Sequence, residues 1–155
     1  MLTNQGSGTI SRCAQNSPRL GRQLLTGIQM NFDNLKSILV LDDDHEINLI
    51  NNDWLVTKGF NSDDHNWLSK EQFDAVFIST SEHSNNISVY AFETFERTYT
   101  STGLTKRLNA EFELNWESFD RFQSSTDILF LYVVPKNLSW IFYANRDWWQ
   151  FAKRN

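Results

Sequence analysis

From Ile128 to Val134 the chain runs Ile-Leu-Phe-Leu-Tyr-Val-Val, an unbroken apolar stretch that Pro135 ends. A short continuous run of β-branched and aromatic residues, bounded by a proline, is the pattern of a buried strand. Lys136-Asn137-Leu138 supplies a turn, and Ser139 to Ala144 returns as a second strand. Asn145-Arg146-Asp147 turns again, and Trp148 to Ala152 offers a third strand. The end of the chain therefore predicts an antiparallel meander.

Upstream the pattern is mixed. Asn31 or Asp33 can cap a short helix through Leu35 towards Leu39, although Ser37 to Leu41 also reads as a strand. Asp44 can cap a helix in which Ile47, Ile50, Trp54 and Leu55 share one face, with Gly59 as its stop. Ser69 and Gln72 have capping-box spacing, but Asp74 to Thr80 follows at once and reads as a strand. Residues 81–86 read as a loop, and Ile87 to Thr100 as one long or bent strand. Leu104, Leu108, Phe112, Trp116 and Phe119 form a helical stripe, with a competing alternation at Phe112, Leu114 and Trp116. Helices in the middle and antiparallel strands at the end give an α+β class: a C-terminal meander packed against two or three helices.

Composition breaks at Met30. Residues 1–29 hold Arg12, Arg19 and Arg22, the single cysteine Cys13, four of the six glycines, and neither an acid nor an aromatic residue. Residues 30–155 hold all 19 acids against the other 11 Lys and Arg, a formal charge of −8, and every Trp and Phe. The first stretch is expected to be a disordered leader or a mis-assigned start, and residues 30–155 a single domain. That domain has no thiol, which excludes a disulfide framework, a Cys-ligated zinc and a cysteine nucleophile within it, and suits the cytoplasm. No apolar run approaches the roughly 20 residues of a membrane-spanning helix. The negative charge argues against a nucleic-acid partner, because it repels a phosphate backbone.

Ile38 to Ile47 (Ile-Leu-Val-Leu-Asp-Asp-Asp-His-Glu-Ile) resembles the start of a response-regulator receiver domain, whose first strand ends in metal-holding acids. The likeness continues to Phe73 to Ile78, but Ser79-Thr80 stands where the phosphoaccepting aspartate belongs. A carboxylate is required there to form an acyl phosphate, so the expectation is at most a degenerate receiver-like module. Asp42, Asp43 and Asp44 lack the alternating acids and central glycine of a calcium loop, and no metal or cofactor is expected. Asp63-Asp64-His65 and Glu82-His83 set carboxylates beside imidazoles, the raw material of acid–base catalysis. Neither lies in a register that fixes such geometry, so an enzyme using His65 or His83 stands only as an alternative.

The ending Asp127 to Phe151 resembles the strand–proline–turn–strand endings of small bacterial immunity proteins. That resemblance implies a non-enzymatic protein that neutralises a cognate toxin by direct binding. The charge independently favours a basic partner, a nuclease toxin for example, by speeding encounter. The expected contact residues are Asp42, Asp43, Asp44, Asp63 and Asp64 as a charged face. Trp148 or Trp149 would be an anchor, because neighbours on a strand face opposite sides.

Overall fold

The order along the chain is a 3-10 helix (Phe32–Ser37), β1 (Trp54–Phe60), α1 (Lys70–Phe77), β2 (Ser88–Glu93), β3 (Arg97–Thr98), β4 (Thr105–Lys106), β5 (Asn109–Glu113), α2 (Trp116–Ser125), β6 (Leu131–Pro135), β7 (Trp140–Ala144) and β8 (Trp148–Arg154). This computed structural model describes residues 29–41, 46–63, 66–80 and 86–155. The chain divides into two units, Met1–Met30 and Asn31–Asn155, and all of these elements belong to the second. The leader through residue 28 lies outside the described residues, as do Asp42, Asp43, Asp44, His45, Asp64, His65, Glu82 and His83.

Six strands form one antiparallel sheet in the order β1-β8-β7-β6-β2-β5, and β3 pairs β4 in a small separate ribbon. The domain is α+β, and its C-terminal meander is β6-β7-β8. These three strands are buried nearly throughout because both faces are covered, which is why their sequence is apolar without alternation. Cross-strand register makes the helix face of the sheet a set of rows. One row runs Ala110, Ala91, Val133, Phe142, Phe151, Thr57. Phe73 and Phe77 of α1 and Phe119 of α2 pack there, Phe77 meeting Phe142, Trp140 and Phe151 at ring separations of 5.9, 5.1 and 5.6 Å.

Residues 31–41 and 46–50 supply contacts on the other face. Phe32 touches Phe92 and Tyr132 at ring separations of 6.1 and 6.3 Å, and the Tyr132 hydroxyl donates to the Glu46 carbonyl at 3.0 Å. Asn31 caps the 3-10 helix, its own N–H donating to Asn34 Oδ1 at 2.8 Å. Leu39 then pairs with Leu49 in an isolated antiparallel bridge.

Several elements differ from the sequence expectation. Residues 54–60 form a strand in place of the helix expected from Ile47 to Gly59, because Leu55-Val56-Thr57 fits a pleated edge. Gly59 ends no helix. It is the cross-strand partner of Trp149, and a Cβ there would run into the indole ring. The strand expected at Asp74 to Thr80 is absent: Asp74 to Phe77 is the second half of α1, and Ile78 to Thr80 turn out of it. Ser69 Oγ accepts from Gln72 N–H and Gln72 Oε1 from Ser69 N–H, so the capping box starts a helix whose buried face is Phe73, Val76 and Phe77. The strand expected over Ile87 to Thr100 is split, since the chain leaves the sheet after Glu93. The helical stripe from Leu104 is real only beyond Trp116, where Asn115 Oδ1 accepts from Ser118 N–H at 2.8 Å and opens α2. Its first half is β4 and β5.

Candidate functional site

Among the described residues, the two outer strands of the sheet, β1 and β5, each pair on one side only. Asn155 N–H donates to the Asp53 carbonyl at 3.0 Å and Asn61 N–H to the Asp147 carbonyl at 3.1 Å, bracketing β1. Antiparallel alternation then assigns the odd-numbered residues of β1 to bonding with β8 and turns the backbone of Trp54, Val56 and Lys58 outward. Among the described residues nothing pairs with those groups. Phe60 differs, because its carbonyl accepts from Trp149 Nε1–H at 3.2 Å and Gln72 Nε2–H at 3.3 Å. The side chains along this edge are apolar and open: Leu55 is 58% exposed, Val56 42% and Phe60 80%.

Behind β1, on the helix face, lies an apolar groove of about 230 Å³. Leu55 and Thr57 of β1 line one side, Gln72, Ala75 and Val76 of α1 with Ser79 just past its end the other, and Trp149, Phe151 and Lys153 of β8 complete the lining. Lys58 extends across the opposite face, its Nζ 5.3 Å from the centre of the Trp148 ring. Neither Lys58 nor Lys153 has a carboxylate within ion-pair distance among the described residues, whereas Lys70 is taken by Asp74 at 2.8 Å.

The β5 edge has the opposite chemistry. Leu114 N–H donates to the Ile87 carbonyl and Glu93 N–H to the Leu108 carbonyl, so Asn109, Glu111 and Glu113 turn their backbone outward. Their side chains are exposed, while Ala110 and Phe112 pack inward. The edge closes early, since the Glu113 carbonyl accepts from Asn115 N–H at 2.9 Å. Glu117 in the first turn of α2 continues the acidic border. Tyr90, opposite Glu111, has its phenol pKa raised by burial first and by that carboxylate second.

At the β5 side the sheet is also tied by charge. The Glu93 side chain is fully buried, and Arg97 grips it with Nε at 3.0 Å from both oxygens and Nη2 at 2.7 Å from Oε2. This grip holds the Arg97 guanidinium pKa above its ordinary value. Arg107 donates to the Glu93 carbonyl at 2.7 Å and stacks 3.5 Å over the Phe32 ring, and burial pulls its pKa down.

A polar cavity of about 850 Å³ opens where the turn after β7 meets the end of α2. Asn61, Asn66, Ser124, Thr126, Arg146 and Asp147 contribute polar groups, and Trp67, Ile128 and Leu129 apolar ones. Asn61 Oδ1 is buried with no hydrogen-bond partner among the described residues.

Of the residues singled out in the sequence, Asp63 is exposed, and its Oδ1 accepts from Asn66 N–H at 2.8 Å within its own turn. Trp148 and Trp149 do lie on opposite faces. Trp149 is buried in the core over Gly59, so its indole belongs to the sheet and not to the surface. Trp148 is half-buried between Tyr143, at a ring separation of 5.3 Å, and Lys58. The other four aspartates and all three histidines lie outside the described residues. The open β1 edge escaped sequence reading, although the exposed β-branched run Val56-Thr57 was a signal for it. Among the described residues no three His, Cys, Asp or Glu are placed to hold a metal, and no helix is long and apolar enough to cross a membrane. Set against protein-family models, curated proteins and solved structures, the chain matches none of them.

Proposed function

We propose that this domain works by binding a basic protein, in the manner of the small immunity proteins that neutralise a toxin by occupying it in the cytoplasm. The observation that carries this reading is the β5 edge, an unpaired strand border whose exposed side chains are Asn109, Glu111 and Glu113, continued by Glu117. The domain's surplus of acids draws a basic surface in over long range, and carboxylates on a rigid strand meet it in fixed positions. Asp42, Asp43, Asp44, Asp63 and Asp64 add to the same attraction. The partner is identified by cross-linking in the native host and mass spectrometry, and association is then followed by stopped flow. We expect a basic partner whose on-rate falls with salt, and a Glu111→Lys/Glu113→Lys variant that associates about tenfold more slowly at low salt. An acidic partner, or a rate indifferent to both salt and charge reversal, rejects the reading.

A further inference from the structure

We propose that β1 is a second binding site, which takes up an extended acidic–apolar segment of another protein as a seventh strand on the six-stranded sheet. The outward N–H and C=O groups of Trp54, Val56 and Lys58 form a ready ladder for an antiparallel partner, and no described residue occupies it. Side chains of an added strand alternate between the two faces. The residue opposite Lys58 falls on the face where that ammonium lies, and a carboxylate there meets an unpaired cation. Its neighbours fall on the helix face beside Thr57 and Gly59, and the next residue on that face beside Leu55, along the groove wall. At about 230 Å³ the groove exceeds the ~150 Å³ that houses a benzene ring in an apolar cavity, so it admits one large apolar side chain. Lys153, opposite Leu55, lies on the helix face at the groove, so Lys58 is the cation that sets the acidic face of the occupant. The favoured occupant thus alternates apolar and acidic residues. A second copy of this chain is disfavoured, because its own β1, with Lys58 as the single charge, brings no carboxylate to meet Lys58.

The test uses the full chain and two fluorescein-labelled synthetic peptides, TVEVEFET and its lysine counterpart TVKVKFKT, read by anisotropy at low salt. We expect the acidic peptide to bind roughly tenfold tighter than the basic one, because an attractive pair at Lys58 is exchanged for a repulsive one. Lys58→Glu should invert that preference. Val56→Pro removes an outward N–H without touching the β8 ladder and should abolish binding of the acidic peptide, with the circular-dichroism spectrum unchanged. If that variant does not fold, the Lys58→Glu inversion decides alone. Equal affinity for the two peptides, no detectable binding of either, or binding that survives a folded Val56→Pro overturns the proposal. So does sedimentation showing that the chain self-associates and that Val56→Pro releases monomers, because the edge then belongs to a second copy. None of these outcomes bears on the acidic β5 edge, which is tested with a different partner.

Discussion

The sheet ends in two unpaired strands that solve the problem of an open edge in different ways. At β5 the exposed stretch is short, carboxylates line it, and Asn115 folds back to occupy the Glu113 carbonyl. Like charges deter a second β5, and little backbone is left to pair with. At β1 the outward backbone of Trp54, Val56 and Lys58 stands open, with Leu55, Val56 and Phe60 exposed and Lys58 the single charged side chain of the strand. A long apolar edge invites another strand, so β1 has the character of a surface kept available while β5 has that of a surface kept clear. The supports differ as well. The β5 side is braced by a buried ion pair and a stacked arginine, and the β1 side by one indole lying over one glycine.

Those supports can be broken one at a time. The largest loss is expected from Arg97→Ala, which strands the buried Glu93 carboxylate. Removing one partner of a buried pair costs about 3–5 kcal/mol, and the urea midpoint should fall accordingly with little change in slope. A loss below about 1 kcal/mol would show that solvent reaches Glu93 and that the β5 side is not braced by charge. Gly59→Ala comes next, because the added methyl displaces the Trp149 ring and overpacking costs about 1–3 kcal/mol. Its thermal midpoint should drop while Thr57→Ala, on the same strand, changes little. Val56→Glu should leave stability within about 0.5 kcal/mol and reduce light scattering in concentrated solution. Unchanged scattering would remove the contrast drawn between the edges.

The smallest effect concerns pH. Burial raises the phenol pKa of both Tyr90 and Tyr143 above the ordinary 10.0. Above that pH the unfolded chain releases protons that the folded chain retains. The contribution is therefore complete below pH 10 and is lost as pH rises through the folded values. Glu111→Gln removes one of the two causes at Tyr90 and should shift its phenolate titration downward, leaving Tyr143 unmoved.

How much could be read from the sequence depends on how local each signal is. The meander was legible because β6, β7 and β8 are neighbours in the chain as well as in space, and their turns carry Pro135, Asn137 and Asn145. Strand β6 begins at Leu131 and not at Ile128. Upstream of it, Arg97 Nη2 holds the Asp127 carbonyl at 2.8 Å. Strand β1 was illegible for the converse reason. It docks on β8, at the other end of the domain, and only that pairing turns Ile50, Trp54 and Leu55 from a helical stripe into a bend and a strand. Gly59 read as a stop because a missing side chain has the same letter whether it serves a turn or makes room for a ring. Charge was legible as an amount and not as a place. The carboxylates of Glu111 and Glu113 share an edge only because β5 alternates, and nothing in the run Asn109 to Glu113 says which border of the sheet it forms.

One amide ties two walls together. Gln123 on α2 accepts from the N–H groups of Trp67 and Leu68 at 3.1 and 3.3 Å and donates to the Leu68 carbonyl at 2.9 Å. The segment leading into α1 is thereby clamped to α2, and both border the polar cavity at the end of the sheet. That space cannot widen by loop motion alone: the helix must travel with the loop, or three buried hydrogen bonds must part together. Opening there is expected to be cooperative, with amide exchange at Trp67 and Leu68 reporting it as one event.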